Sequence, residues 1–347
     1  MKTALTSLAG IEHPVVQTGM GWVAGPRLVT ATAEAGGLGI LASATMTFDE
    51  LAAAVKEVRG RTDRPFGVNL RADAHDAERR IDLLISEDVR VASFALAPRP
   101  EMIARLKEHG IVVIPSIGAA KHAAKVASWG ADAVIVQGGE GGGHTGGVAT
   151  TLLLPSVLDA VDIPVIAAGG FFDGRGLAAA LAYGAAGVAM GTRFLLTQES
   201  TVPDAVKREY LRRDLNGTVV TRKVDGMPHR VLRTELVDAL ESSRTGTLRA
   251  VRNAVRFRKL TGVSWPALVR EGLALRRERT WSQVIMAANT PMLLRAGLVD
   301  GDTQAGVLAS GQVAGLLDDL PTVAALVGEI VADAERILAR LAGNPCG

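Results

Sequence analysis

The first 196 residues repeat one pattern, a short apolar run followed by a longer segment whose apolar residues recur with helical spacing. The runs are continuous rather than alternating, which is typical of parallel strands covered on both faces. Their starts lie 21 to 31 residues apart, close to the ~30 residues of one strand–helix unit. The pattern predicts eight strands, at residues 14–19, 38–43, 66–70, 91–96, 112–117, 133–138, 164–170 and 187–195.

The linking segments predict helices, the clearest at residues 27–34, 49–58, 101–109 and 174–183. Gly110, Gly130 and Gly184 follow such segments, where a left-handed residue ends a helix without strain. Eight repeats predict closure into a (β/α)8 TIM barrel. An open doubly wound sheet is the alternative, but residues 18–24 (TGMGWVA) do not supply its Gly-x-Gly-x-x-Gly fingerprint after the first strand.

The repeated strand–helix pattern stops near Thr197, which predicts that the chain has three parts. We expect a barrel core over residues 1–196, a mainly helical cap or substrate segment over 197–320, and a C-terminal helix and tail over 321–347 packed on the barrel. The segment from Glu241 to Thr280 contains ten basic residues and three acidic ones. This segment is either a solvated helical face or a docking surface for a polyanionic substrate handle.

The composition favours a protein with a large buried core, since 48% of its 347 residues are hydrophobic and 21% are charged. A net charge of +2 is too small to hold nucleic acid by its phosphates. The single cysteine, Cys346, cannot form an intramolecular disulfide and indicates a reducing compartment. The N-terminus lacks a signal-peptide pattern, and the longest apolar stretch, residues 177–190, is short for a membrane span. We therefore expect a cytoplasmic protein without nucleic-acid or membrane partners; the sequence leaves a homodimer open.

The ends of the last two predicted strands carry the residues of a phosphate site. In a barrel the active site lies at the carboxyl ends of the strands, and the loops after strands seven and eight frequently bind phosphate. Gly169 and Gly170 let backbone N–H groups approach a ligand closely, and Gly191 precedes Thr192, whose hydroxyl can donate. Tight turns alone are the alternative explanation of these glycines.

Polar and aromatic residues follow other strands. Asn69 and Gln137, at the ends of strands three and six, are neutral amides suited to the polar edge of a flavin ring, or else satisfy backbone groups at the barrel end. Trp22 either stacks on a ligand or seals the barrel, and Ser116 in the fifth strand is a candidate substrate contact.

The most informative segment is the glycine-rich loop at residues 137–147, QGGEGGGHTGG. Within it, His144 can exchange protons near neutral pH and is predicted to be the catalytic acid/base, although a lone loop histidine is often merely exposed. Glu140 either orients His144 or caps the following helix. Farther along, His229 and Arg230 follow a turn-rich stretch and are candidate substrate contacts.

The other histidines predict no site. His75, His109 and His122 fall on predicted solvent-facing helices, and His13 precedes the first strand. No Cys/His or His/carboxylate group has metal-ligand spacing along the sequence, so no metal site is predicted.

The stretch from Pro14 to Thr197 resembles the nitronate monooxygenase (2-nitropropane dioxygenase-like) flavoproteins, which include FMN-dependent enoyl-acyl-carrier-protein reductases. The resemblance implies a catalytic acid/base at His144 in the glycine loop. The other motifs that carry it are PVVQ at 14–17 through position 20, AGGLG at 35–39, PFGVN at 65–69, AAGG at 167–170 and MGTRF at 190–194. It further implies FMN held by Met20, Gly21, Asn69, Gln137, Gly142, Gly143, Gly170, Gly191 and Thr192.

Two departures from the family pattern lie among these residues. Family members commonly read Ala-Pro-Met where this chain has Thr18-Gly19-Met20, and Glu-Ala-Gly-Gly-His where it has Glu140-Gly141-Gly142-Gly143-His144. Both changes fall at the implied site, which weighs against a nitronate as the substrate.

Nearly the whole chain is most similar to the actinobacterial flavoproteins of steroid C/D-ring breakdown, which act on a hydroxylated indanone carboxyl-CoA thioester. This resemblance implies hydride transfer between NADH or NADPH, FMN and an acyl-CoA in steroid or cholesterol catabolism. The alternatives are a nitronate monooxygenase that uses O2 and, in a different class, a flavin-binding protein without turnover.

Overall fold

The computed structural model describes residues 1–242, 290–304 and 306–343. The basic segment from Arg244 to Arg279 and the cysteine Cys346 lie outside the described residues. The chain divides into two compact units, one formed by Met1–Gly141, Gly146–Thr201 and Leu317–Gly347, the other by Gly142–Thr145 and Val202–Leu316.

The first unit contains a closed barrel of eight parallel strands. The barrel closes where β1 pairs with the last strand, β9, with Val16 opposite Ala189. All eight predicted strands are present. They are β1 (Val15–Gln17), β2 (Leu38–Ala42), β3 (Gly67–Leu70), β4 (Val91–Phe94), β5 (Val112–Ile117), β6 (Val134–Gln137), β8 (Val165–Ala168) and β9 (Gly187–Met190), with β7 belonging to the second unit.

Seven of the eight predicted strands extend beyond the observed ones, and the largest error is at the end of the eighth. The eighth apolar run does not continue as a strand to Leu195, because Thr192–Leu195 forms a short helix, α9. The Leu195 N–H donates to the Gly191 carbonyl oxygen at 3.0 Å, so the backbone turns as soon as the strand ends. Apolar character alone did not distinguish this buried helical turn from a strand.

Helices follow the strands as the sequence predicts. Gly110, Gly130 and Gly184 have φ values of +72°, +95° and +101°, which confirms their left-handed helix-ending role. The helices of this unit that precede α9 are α1 (Ala4–Ala9), α2 (Pro26–Glu34), α3 (Phe48–Arg59), α4 (Ala77–Ser86), α5 (Pro100–Glu108), α6 (Ala120–Ser128), α7 (Thr150–Leu158) and α8 (Gly174–Tyr183).

The barrel interior is filled by aliphatic side chains. Ile40, Ile114, Ile135 and Ile166 from four strands belong to one buried cluster. Leu5 of α1 is in the same cluster, so this N-terminal helix packs against the residues that fill the barrel. The interior is therefore a packed core rather than a pore, and ligand chemistry is confined to the strand ends.

The second unit contains helices, as predicted, and also an antiparallel sheet that the sequence rhythm did not predict. The sheet order is β10 (Thr218–Thr221), β11 (His229–Leu232) and β7 (Gly143–His144). Val224, Val231, Val237 and Val307 form its small core. The described α-helices of this unit are α10 (Asp204–Leu211), α11 (Glu235–Ser242) and α12 (Thr290–Leu298), and a short 3-10 helix spans Gln312–Leu316.

A long final helix, α13 (Val323–Gly343), belongs to the first unit and packs against α8 and α2. The Val323 N–H donates to a Glu199 carboxylate oxygen at 3.0 Å. A Cβ at Gly174 would strike the Asp333 side chain and lie 2.7 Å from the Ile330 carbonyl oxygen. Gly174 therefore allows α8 and α13 to approach closely. Within the described part of the chain, no helix is both long and apolar enough to cross a membrane.

Replacing Gly174 with alanine is expected to lower the free energy of unfolding by about 1 to 3 kcal/mol, because the new methyl group overpacks this helix contact. Gly328→Ala on α13 is the matched control, since a Cβ there meets no atom within 4 Å. The control should raise the free energy of unfolding by up to about 1 kcal/mol, because alanine is the better helix former. Urea unfolding followed by circular dichroism measures both, and similar effects of the two variants would argue against close helix packing.

Candidate active site

Amide side chains lie at the carboxyl ends of β3 and β6. Asn69 is buried, and its Nδ2 donates to the Ser93 Oγ of the neighbouring strand at 3.2 Å. Gln137 is the last residue of β6 and pairs in register with Ala168 of β8. The barrel thus carries both predicted amides at the strand ends.

Glycines allow close packing beside both amides. A Cβ at Gly19 would lie 2.5 Å from the Asn69 Cβ, and a Cβ at Gly141 would lie 2.6 Å from the Gln137 Nε2. Real Cβ atoms essentially never approach so closely. A Cβ at either glycine would therefore force the neighbouring amide side chain, Asn69 or Gln137, to shift.

The ends of β8 and β9 have the backbone form expected of a phosphate cradle. Gly169 and Gly170 have φ values of +89° and +86°, which favour glycine. At Gly170 an added Cβ would be in ordinary van der Waals contact with the Glu140 side chain, 3.8 Å from its Cβ, so close packing does not explain this glycine. Gly191 lies beside the end of β1, since its Cβ would be 3.4 Å from the Met20 Sδ. Thr192 is buried at the start of α9.

Trp22 has the left-handed backbone conformation, with φ +65°, that side chains other than glycine rarely adopt. Its backbone N–H donates to the Thr45 Oγ1 at 3.2 Å. A Cβ at the preceding Gly21 would lie 2.9 Å from the Thr45 Cγ2. Trp22 also lines a cavity of about 300 Å³ with Met46 and Thr201, among others. Backbone strain of this kind is common at ligand sites, which is compatible with a substrate contact through Trp22. That contact stays a prediction.

The first half of the glycine loop is held by hydrogen bonds within the barrel unit. Both carboxylate oxygens of Glu140 accept from the Thr150 N–H, at 3.0 and 3.1 Å, and Thr150 Oγ1 donates to one of them at 2.7 Å. Glu140 therefore caps α7, as one of its two predicted roles required. A Cβ at Gly138 would lie 2.6 Å from the Thr150 Cα, so this glycine serves packing.

His144 lies in the second unit, on the two-residue strand β7. It is directly opposite His229 of β11, and the two ring centroids are 4.8 Å apart with planes tilted by 55°. The His144 side chain is 62% exposed, whereas His229 is buried. The sheet thus pairs an accessible imidazole with a buried one.

Asp225 faces both imidazoles. Its Oδ2 makes a short hydrogen bond with the His144 Nε2 and lies 3.7 Å from the His229 Nδ1. Burial alone would raise the pKa of Asp225, but the two histidines and the Met227 N–H that face the carboxylate hold this pKa well below its usual range. Asp225 is therefore an ionised carboxylate in the pH range where histidines titrate.

The cluster of His144, Asp225 and His229 could not be predicted from spacing along the chain. Polar side-chain atoms of the three residues lie within 4.8 Å of one another. The expectation that no metal site is present stays a prediction. Asp225 was also missed as a site residue. The sequence contained a partial signal, because Asp225 and His229 are four residues apart in a turn-rich stretch, but the pairing with a residue 81 positions away comes from the fold.

The remaining predicted residues are dispersed over the fold. Ser116 is half-buried on β5, and Arg230 on β11 donates from Nη1 to the Thr218 Oγ1 at 3.0 Å. A Cβ at Gly142 would lie 2.5 Å from the Gly311 nitrogen, so packing explains this glycine, which was predicted to bind cofactor. Gly143, with φ +72°, has no atom within 4 Å of an added Cβ.

The other histidines are outside the cluster. His109 and His122 are exposed, at the end of α5 and on α6, and His13 precedes β1, all as predicted. His75 is exposed too, but it lies in the turn before α4 rather than on a helix. The helix α4 begins only at Ala77. The Ala77 N–H donates to the Ala74 carbonyl oxygen at 3.1 Å, which closes the turn that contains His75.

The strand ends of the barrel unit fit an FMN molecule by their chemistry. Asn69 and Gln137 carry amides that can bind the polar edge of a flavin ring. Gly169 and Gly170 have the left-handed backbone that glycine adopts without strain, and the Thr192 hydroxyl suits a phosphate oxygen.

Comparison with known proteins identifies relatives of the whole chain. The family model described as nitronate monooxygenase matches residues 2–80 and 74–333. A Rhodococcus jostii protein is 74% identical over 338 residues, which cover 96% of each chain. It is named (3aS,4S,5R,7aS)-5-hydroxy-7a-methyl-1-oxo-octahydro-1H-indene-4-carboxyl-CoA dehydrogenase.

Solved structures agree with these relatives. FabK from Thermotoga maritima superposes with a TM-score of 0.80 at 37% identity, covering 99% of each chain. A nitroalkane oxidase from Streptomyces ansochromogenes superposes with a TM-score of 0.77 at 30% identity, covering 98% of this chain and 100% of that one. The barrel is therefore shared with enzymes of more than one named activity.

The cap of α7 gives a test of the loop structure. Glu140→Ala should lower the free energy of unfolding by about 0.5 to 2 kcal/mol, because the first N–H group of α7 loses its acceptor. Glu329→Ala, at an exposed position on α13, is the matched control and should change it by less than about 0.5 kcal/mol. Chemical denaturation measures both, and equal values would show that the Glu140 contacts do not stabilise the loop.

Proposed function

Because the chain belongs to the nitronate monooxygenase family, whose members are FMN flavoproteins, we propose that it is an FMN-dependent oxidoreductase acting on an acyl-CoA. The proposed substrate is a hydroxylated indanone carboxyl-CoA from steroid-ring breakdown, and NADH or NADPH is the proposed redox partner. The observation that carries this proposal is the 74% identity to the Rhodococcus jostii dehydrogenase over 96% of both chains.

The barrel residues that would hold FMN are those at the carboxyl ends of β3, β6, β8 and β9. We assign Asn69 and Gln137 to the ring, and Gly170, Gly191 and Thr192 to the phosphate, with Met20, Gly21 and Gly169 lining the same strand ends. Bound FMN would supply hydride chemistry that no side chain can. The protein's part is to bind, orient and exclude water.

His144 is the proposed acid/base. A histidine exchanges protons at neutral pH, and its side chain is accessible to a ligand. The ionised carboxylate of Asp225 makes a hydrogen bond with this ring. His144 would then take up or return the proton that accompanies hydride transfer at the substrate.

A nitronate monooxygenase is the second candidate, because the family model carries that description and a nitroalkane oxidase shares the fold. The identity to the nitroalkane oxidase is only 30%, compared with 74% for the acyl-CoA dehydrogenase. A flavin-binding protein without turnover is the third. Purified protein mixed anaerobically with NADH or NADPH, then with an indanone-type acyl-CoA or with an alkyl nitronate and O2, separates the three by flavin absorbance.

His144→Ala should lower kcat for the acyl-CoA by about 10²-fold or more, the usual contribution of a positioned acid/base, while the flavin spectrum is retained. His122→Ala is the matched control because this histidine is exposed on α6, and it should keep wild-type rates. Steady-state kinetics and the FMN content per chain are the measurements. Wild-type kcat in His144→Ala would remove the acid/base role.

Thr192→Val should weaken FMN binding by roughly tenfold or more, because a hydrogen bond to a charged phosphate is lost at unchanged side-chain size. Thr30→Val on α2 is the control, since the buried Thr30 Oγ1 has no hydrogen-bond partner among the described residues. Quenching of FMN fluorescence by the apoprotein gives both dissociation constants. Equal constants in Thr192→Val and wild type would place the phosphate elsewhere.

A further inference from the structure

We propose that Asp225 is a positioning residue that fixes the tautomer of His144, so that His144 exchanges its proton at Nδ1. The buried ring of His229 keeps the His144 ring in its orientation. This inference rests on the proposed function of His144. It adds Asp225 to the site, gives His229 a packing role and names the reacting atom.

The Asp225 carboxylate is held in one orientation. Its Oδ1 accepts the Met227 N–H at 2.9 Å, within the turn between β10 and β11. Its other oxygen, Oδ2, is thereby directed toward the imidazoles. The side chain is 6% exposed, so water competes little for these contacts.

The hydrogen bond to Asp225 determines which nitrogen of His144 carries the proton. An ionised carboxylate only accepts hydrogen bonds, so the neutral His144 ring must carry its hydrogen on Nε2. The lone pair of this tautomer is on Nδ1. When Nδ1 takes a proton, the carboxylate stabilises the resulting imidazolium, and when Nδ1 returns it the same tautomer is restored.

His229 supports this arrangement from the neighbouring strand. It is 3% exposed, pairs in register with His144, and neither of its ring nitrogens has a hydrogen-bond partner among the described residues. At 3.7 Å its Nδ1 is too far from the Asp225 oxygen for a hydrogen bond. His229 therefore supports the pair by its position beside Asp225 and by ring packing, which limits how the His144 ring can rotate.

Asp225→Asn is the informative substitution. The Met227 N–H would keep its hydrogen bond by donating to the side-chain oxygen of the new asparagine. This contact turns the amide NH2 toward His144. This donor forces the hydrogen of His144 onto Nδ1, the wrong tautomer for a base at that atom. We expect kcat for the acyl-CoA to fall by about 10²-fold or more while KM, FMN content and melting temperature stay near wild type.

Two variants serve as controls. Asp214→Asn changes another turn aspartate of the same unit, whose Oδ1 accepts the Asn216 N–H at 2.9 Å, and it should keep wild-type kinetics. His229→Phe keeps a flat ring but no ring nitrogens, and it should lower kcat less than Asp225→Asn does. A reversed order of these two effects would contradict the assignment.

The tautomer is measured directly by NMR of the FMN-loaded protein with ¹⁵N-labelled histidine, using His144→Asn to assign the signals. We expect Nε2–H in wild type and Nδ1–H in Asp225→Asn. An Nδ1–H tautomer in wild type, or stoichiometric zinc bound to the purified protein through this cluster, would overturn the inference. If wild type turns over no acyl-CoA, the proposed function fails separately, because the NMR result does not depend on turnover.

Discussion

Closure of eight parallel strands is the constraint on which the barrel unit depends. β1 pairs with β2 on one side and with β9 on the other, so no strand of the barrel has an open edge. Because all strands run in the same direction, their carboxyl ends lie at one rim. Asn69, Gln137, Gly170 and Thr192 come from distant parts of the sequence and share this rim only because the barrel closes.

Close backbone approach is the second constraint, and it explains much of the glycine content. A Cβ at Gly39 would lie 2.5 Å from the Val29 carbonyl oxygen, and one at Gly187 would lie 2.5 Å from the Pro14 carbonyl oxygen. Both glycines lie within barrel strands, where close backbone packing explains them. The same requirement applies to Gly138 in the glycine loop. A glycine-rich stretch thus indicates tight packing at least as directly as it indicates a ligand.

The sequence predicted those helices and strands that are determined by their own residues and immediate neighbours. A parallel strand covered on both faces is recognisable from its own residues, and so is a helix end at a left-handed glycine such as Gly184. The sheet of the second unit is different, because β7 has two residues and its partner strand begins 85 residues after His144. Two residues have no periodicity, and no local pattern predicts such a pairing. Asp225 was missed for the same reason, since its role depends on that pairing.

The two departures from the family pattern acquire a common physical cause in the structure. Gly19 replaces a family proline where a Cβ would collide with Asn69, and Gly141 replaces a family alanine where a Cβ would collide with Gln137. Both departures therefore leave room for an amide at a strand end. Because a proline or alanine would have to displace Asn69 or Gln137, the smaller residues and the amide positions form one arrangement.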